Sequence, residues 1–201
     1  MFPIEFVNHA SFVMNLGNKR LITDPWLENR VFNEGWQLLS ETKFNYDDFK
    51  DIDYIWFSHE HPDHFMPLVI KKIPEEYRAK IKVLYQKTID EKVSAFCQSL
   101  NFQEIIELSP NKWHKLDENT EIMCTPFGKG DSWLAVKNQN HTILNLNDCP
   151  VTTETDLSRI KEMVGKVDVL FSQFSFANWV GNSEDPASCK NEAKIKLKSL
   201  I

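Results

Sequence analysis

The 201-residue sequence predicts a mixed α/β (α+β) fold, on three observations. Short runs of β-branched and aromatic residues recur between Gly, Asn and Pro turn signals, and several are followed by stretches with helical spacing. The compact apolar run at 54–57 leads directly into a cluster of histidines. With 42% hydrophobic residues, fourteen Phe and six Trp, a chain this long buries roughly two thirds of its unfolded surface without disulfide staples. No repeat, low-complexity tract or Gly/Ser linker divides it, so residues 1–201 read as a single domain.

The elements follow in order. Strands are expected at 4–7, 11–16 and 20–23, the last two joined by a Gly17-Asn18 turn. A buried strand at 54–58 precedes helices at 67–73 and 90–100. Further strands fall at 80–85, 120–125, 133–137 and 142–146, with a polar hairpin turn over 138–141. Thr153 caps a helix over 153–164, Gly165 ends it, and 168–172 reads as a buried strand. The last stretch, 186–201, has helical spacing, and nothing after it closes the fold, which suggests a missing C-terminal portion.

Composition excludes several classes of function. The longest apolar runs, 54–57 and 133–136, are four residues long, against the twenty or so that a membrane-spanning helix needs. The N-terminus, MFPIEFVNHASF, has no basic segment followed by an apolar one, so no secretory signal is read and the cytoplasm is the expected location. Cys97, Cys124, Cys149 and Cys189 form no C-x-x-C pair, which fits reduced thiols. A net charge of −6 argues against nucleic acid as a partner. The one basic cluster, Lys190, Lys194, Lys196 and Lys198, reads as a solvated helix face.

The chemistry concentrates in SHEHPDHF, residues 58–65. His59 and His61 are two apart and in an extended segment point to one side, where two imidazoles can share an ion. Pro62 biases His61 toward extended backbone and is expected to open a helix, placing Asp63 and His64 in its first turn beneath the same cavity. A second ion fits there, and two ions about 3.5–4 Å apart would hold a nucleophilic hydroxide and polarise a phosphoryl or carbonyl oxygen. The alternative is a polar loop that caps a helix. Glu60 is expected to face solvent.

These residues match the H-x-H-x-D-H signature of the metallo-β-lactamase superfamily, position for position from His59 to His64. VNHASFVM (7–14), LITDPWL (21–27), FNEGW (32–36) and LNLNDC (144–149) make the chain resemble, more narrowly, the metallohydrolase-type domain of cytidine-monophosphate N-acetylneuraminate hydroxylase and its bacterial relatives. The resemblance implies an αββα four-layer sandwich. It also implies that His59 and His61 bind a first metal, Asp63 and His64 a second, and that Asp148 bridges them. Asp24 would hold the histidine loop by hydrogen bonds, and His9, with Asp63, would act on substrate or move protons.

The sequence departs from that family in two respects. The third histidine of the first metal site is replaced by TPFGKGDSWLAV, in which Asp131 is the nearest oxygen donor; His114 lies too far upstream. The family's final metal histidine has no counterpart before Ile201. No Cys lies within three residues of a His, so the Rieske centre of the sialic-acid hydroxylase is absent, which argues against an oxygenase acting alone. Two expectations follow. One is a hydrolase with one or two divalent ions, zinc foremost and manganese or iron as alternatives, acting on a small-molecule, lipid or sugar-phosphate substrate that carries a phosphoester, ester or lactone. The other is a non-catalytic or partner-dependent domain in nucleotide-sugar or polysaccharide modification. An open sheet edge at the chain end would favour a homo-oligomer.

Overall fold

A computed structural model describes residues 3–173. Gly17 turns the chain between β2 (Ser11–Leu16) and β3 (Lys19–Thr23), taking a left-handed φ of 76° that a side chain would resist. With β1 (Ile4–Asn8) these strands form an antiparallel meander. β3 then pairs in parallel with β4 (Tyr54–Phe57), β4 with β5 (Lys82–Gln86) and β5 with β6 (Glu104–Leu108), which makes a six-stranded sheet in sequential order. Parallel neighbours require crossovers. These are supplied by a 3₁₀ turn at Tyr46–Asp51 and by helices α1 (Pro67–Lys72), α2 (Glu75–Arg78) and α3 (Lys92–Ser99).

The second sheet runs β11-β10-β9-β8-β7, built from β7 (His114–Lys115), β8 (Thr120–Phe127), β9 (Asp131–Asn138), β10 (His141–Asn145) and β11 (Val169–Phe171). Its pairs are antiparallel except β10 with β11, which α4 (Glu154–Val164) connects. Strand alternation gives each sheet two apolar faces. Met14, Leu21, Trp56 and Leu84 meet Ile122, Leu134 and Val136 between the sheets. On the outer face of the first sheet, Val13, Ile22, Ile55 and Phe57 pack with Val69 and Ile70 of α1 and Val93 and Cys97 of α3. On the outer face of the second, Met123, Trp133 and Leu144 pack with Ile160 and Val164 of α4. The layers are therefore αββα, as the resemblance implies. β4 is buried on both faces, which explains its unbroken apolar YIWF.

The differences from expectation have local causes. Pro62 opens a tight turn and not a helix: the backbone N–H groups of His64 and Phe65 both donate to the His61 carbonyl, at 3.0 and 2.7 Å, and α1 starts only at Pro67. β5 begins two residues late because Ala79 and Lys80 close α2. α3 begins at Lys92, after Glu91 takes a left-handed φ of 50°. β6, reading EIIEL, escaped notice because its glutamates mask an edge strand in which Ile105 faces the helices and Ile106 the second sheet. β11 is shorter than expected and half-buried, with Leu170 exposed. Thr153 caps α4 as expected, its Oγ accepting from the Asp156 N–H. The expected helix at 186–201, its lysines and Cys189 lie outside the described residues. Cys97, Cys124 and Cys149 are free and buried.

Leu134 is fully buried where the sheets meet. Leu134→Ala should lower unfolding free energy by about 2–5 kcal/mol, read as a lower urea midpoint with an unchanged slope.

Candidate metal centre

One edge of the sandwich collects the polar residues that the strands release. Asp24 follows β3, Ser58 to His64 follow β4, Gln86 ends β5, Asp131 opens β9, Asp148 follows β10, and His9 lies in the turn between β1 and β2. The Pro62 turn brings His64 back beside His59, with ring centroids 4.2 Å apart. His59, Asp63 and His64 are buried, and Asp24 is completely so.

Asp24 organises the histidine loop. Its Oδ1 accepts from the Ser58 N–H at 2.8 Å. Its Oδ2 accepts from Ser58 Oγ at 2.7 Å, from His64 Nδ1 at 3.0 Å and from Asn147 Nδ2. Because Ser58 Oγ gives its proton to Asp24, it accepts at 2.9 Å from His59 Nδ1. Both imidazoles therefore carry the Nδ1 proton in their neutral form and turn Nε2 into the cavity, the atom a metal needs. The Ser58 carbonyl accepts from Gln86 Nε2 at 3.1 Å and Ser132 Oγ at 2.6 Å, and Gln86 also donates to the Gly130 carbonyl at 2.6 Å. This clamp fixes the loop bearing Asp131 against the one bearing His59.

Among the described residues three overlapping groups result, each with its donor atoms within 4.8 Å of one another: His59, His61 and Asp131; His59, His64 and Asp148; His9, Asp63 and His64. His59 Nε2 lies 2.8 Å from His61 Nδ1 and 3.6 Å from Asp131 Oδ1. Donors on a tetrahedral zinc stand about 3.4 Å apart, so these distances bracket one ion. His64 Nε2 is 3.3 Å from Asp63 Oδ2 and 3.4 Å from Asp148 Oδ2, and makes no hydrogen bond to either. Asp63 Oδ1 is likewise buried without a partner. Buried polar atoms are rarely left unmatched, and a cation between these groups would satisfy both. The donor set fits divalent metal.

The electrostatics agree. Burial works against protonating His64, but the neighbouring carboxylates of Asp148, Asp24 and Asp63 outweigh it and hold its pKa well above the ordinary histidine value. Burial would raise Asp63, yet His64 and His9 hold it far below the usual carboxylate range, and Asp148 is lowered against burial by His64. His59, desolvated and beside the His64 charge, is pushed down. The carboxylates around His64 thus favour positive charge where a cation would sit.

His9 comes closer to the cluster than a cavity wall requires: its Nε2 is 3.1 Å from Asp63 Oδ2, and its ring meets that of Trp26 edge-on. His114 is engaged with the Ser109 backbone instead. Glu60 is exposed, 3.4 Å from Lys92. Ser58 and Asn147, inside the SHEHPDHF and LNLNDC stretches, and Gln86 and Ser132, which no local pattern marks, are positioning residues beyond the sequence expectation.

Comparisons with known proteins place these features in context. Residues 3–172 match the Beta-lactamase superfamily domain. The cytidine monophosphate-N-acetylneuraminic acid hydroxylase of Xenopus laevis is 30% identical over 152 residues, 73% of this chain and 25% of that protein. The chain spans about a quarter to a third of the length of the first such hydroxylases it matches. Among solved structures, a possible metal-dependent hydrolase from Veillonella parvula superposes with a TM-score of 0.70 at 13% identity, covering 98% of this chain and 82% of that one. CmlA, a diiron β-hydroxylase from Streptomyces venezuelae, superposes at 0.66 with 18% identity, covering 98% and 42%. These two likenesses concern the fold.

The proton on His64 and an ion compete for Nε2. The raised pKa of His64 stabilises the metal-free chain fully below the unfolded histidine value, about 6.5, and that contribution fades as pH rises through the folded value; lowered Asp63 and Asp148 contribute above about 3.9 and fade as pH falls. The cluster therefore supports the metal-free fold best between roughly pH 4 and 6.5. Metal affinity should instead increase from pH 6 to pH 8 as His64 releases its proton more readily. Calorimetric titration with zinc checks this, and a pH-independent affinity would remove His64 from the ligand set.

Proposed function

The chain belongs to the beta-lactamase superfamily, and on that premise we propose that it is a metal-dependent hydrolase of phosphoesters, carboxylic esters or lactones. The observation that carries the reading is the convergence of three donor groups on one cavity, with His64 Nε2 and Asp63 Oδ1 left unmatched. We assign His59, His61 and Asp131 to one divalent ion and Asp63 and His64 to another, with Asp148 shared between them. Ions held there supply an acidified water and a Lewis acid for the substrate oxygen. Asp63, 3.1 Å from His9 Nε2, takes up a proton from the attacking water, and His9, whose side chain is 34% exposed, passes it toward the leaving group. We take the substrate to be a small molecule or a lipid or sugar phosphate, and place the reaction in the cytoplasm.

Asp131 also supports a second reading. Two histidines and one carboxylate are the donor set of non-haem iron oxygenases, and the carboxylate suits iron or manganese better than a third imidazole would. CmlA, which shares this fold, is a diiron β-hydroxylase. The identity of the bound metal separates the two readings.

Elemental analysis of protein purified without added metal should find about one to two ions per chain, lost together with turnover of a generic phosphodiester in a His59→Ala, His61→Ala double variant. Less than about a tenth of an ion per chain, even after incubation with zinc, manganese and ferrous iron, would leave the scaffold as the better account. Asp131→His should shift preference from ferrous iron toward zinc, read by competition between the two metals; an unchanged preference would take Asp131 out of the ligand set.

A further inference from the structure

We propose that the loop at 31–36 is a ring-binding lip of the metal centre, in which Phe32 and Trp36 receive a ring, aromatic or sugar, of a substrate whose reacting group lies beside His61. The proposal rests on the metal-centre reading and deepens it by naming a feature of the substrate.

Position is the first argument. The Phe32 ring centroid is 6.2 Å from that of His61 and 5.0 Å from that of Trp36, both edge-on. Phe32 therefore adjoins the donor cluster at His61, and Trp36 continues the aromatic surface away from it. Exposure is the second. Phe32 and Trp36 are 42% and 38% exposed, whereas Trp26, Trp56 and Trp133 are buried. The fold accommodates large rings in its core yet holds these two open beside a metal ligand.

Backbone geometry is the third. Val31 and Trp36 exchange two backbone hydrogen bonds, at 3.0 and 3.1 Å, that close the loop. Within it Phe32, Asn33 and Glu34 are all left-handed, with φ of 52°, 52° and 65°. A bulky aromatic residue rarely adopts that conformation, and here it aims the Phe32 ring at His61. The indole N–H of Trp26 donates to the carbonyls of Glu28 and Asn29, at 2.9 and 3.1 Å, anchoring the segment that leads into the loop. Two aromatic rings at an angle offer a face and an edge, which suits the π face of an aromatic ring or the C–H face of a sugar. Asn33 and Gln37, exposed along the same loop, add amides for ring hydroxyls.

The test is calorimetric binding of methylphosphonate, phenylphosphonate and glucose 1-phosphate to the metal-loaded protein. At least one ring-bearing probe should bind about tenfold more tightly than methylphosphonate, and Phe32→Leu and Trp36→Leu should erase the advantage while thermal midpoints stay unchanged. The phenyl and glucosyl arms distinguish an aromatic from a sugar ring. Equal affinities in the wild type, or an advantage that survives both variants, overturns the lip. Should no probe bind through metal, benzyl alcohol and methyl glucoside followed by NMR test the lip alone: shifts lost in both variants support it without the metal reading, and no shifts overturn it.

Discussion

The buried carboxylate of Asp24 is the constraint on which the candidate site depends. A charged group without any solvent contact is costly unless it is well hydrogen-bonded, and Asp24 meets that condition with four donors drawn from separate parts of the chain. The Ser58 N–H and hydroxyl come from the end of β4, His64 Nδ1 from the turn beyond it, and Asn147 Nδ2 from the loop after β10 in the other sheet. Its own N–H donates to the Trp56 carbonyl. One side chain thus joins both sheets to the histidine loop. The same bonds set the tautomers of His59 and His64, so the orientation of the putting-together and the chemistry of the donors have a single origin.

Much of this was legible because its determinants are local. The H-x-H-x-D-H cluster fits within six residues, and the strand before it is apolar throughout because both of its faces are buried. Asp24 and Asp148 were reachable through the resemblance of LITDPWL and LNLNDC, and Asp131 because it was the nearest oxygen donor to the absent histidine. The clamp on the Ser58 carbonyl was not legible: Gln86 and Ser132 lie 28 and 74 residues away, and no local pattern marks either as its partner. The Pro62 helix failed for a different reason. A proline fixes its own φ, which suits the first turn of a helix and a tight turn equally, and the demand that His64 reach Asp24 decided between them.

Asp131, 3.6 Å from His59 Nε2, brings negative charge to the cluster as well as an oxygen donor. Asp63, Asp131 and Asp148 face His59, His61 and His64 around one space, and Asp24 adds a fourth carboxylate behind them. These carboxylates favour the protonated form of His64 in spite of its burial. The surplus of negative charge favours a divalent ion, which would relieve repulsion among carboxylates that the fold has already brought together.

Backbone conformation points the same way. His9, Asp24 and Asn147 are left-handed, with φ of 41°, 37° and 48°, and each touches the cluster or its supports. Phe32, Asn33 and Glu34 repeat the pattern at the lip. Asn, Asp and His tolerate such geometry better than other side chains, so the sequence supplies tolerant residues inside the cavity, but Phe32 is not one of them. Strain of this kind persists only where surrounding structure enforces it, and the two sheets, laced by Asp24 and the Ser58 carbonyl, provide that enforcement for the inner residues. At the lip it falls to the Val31 and Trp36 backbone pair, which is why the position of Phe32 reads as a property of the site and not of the core.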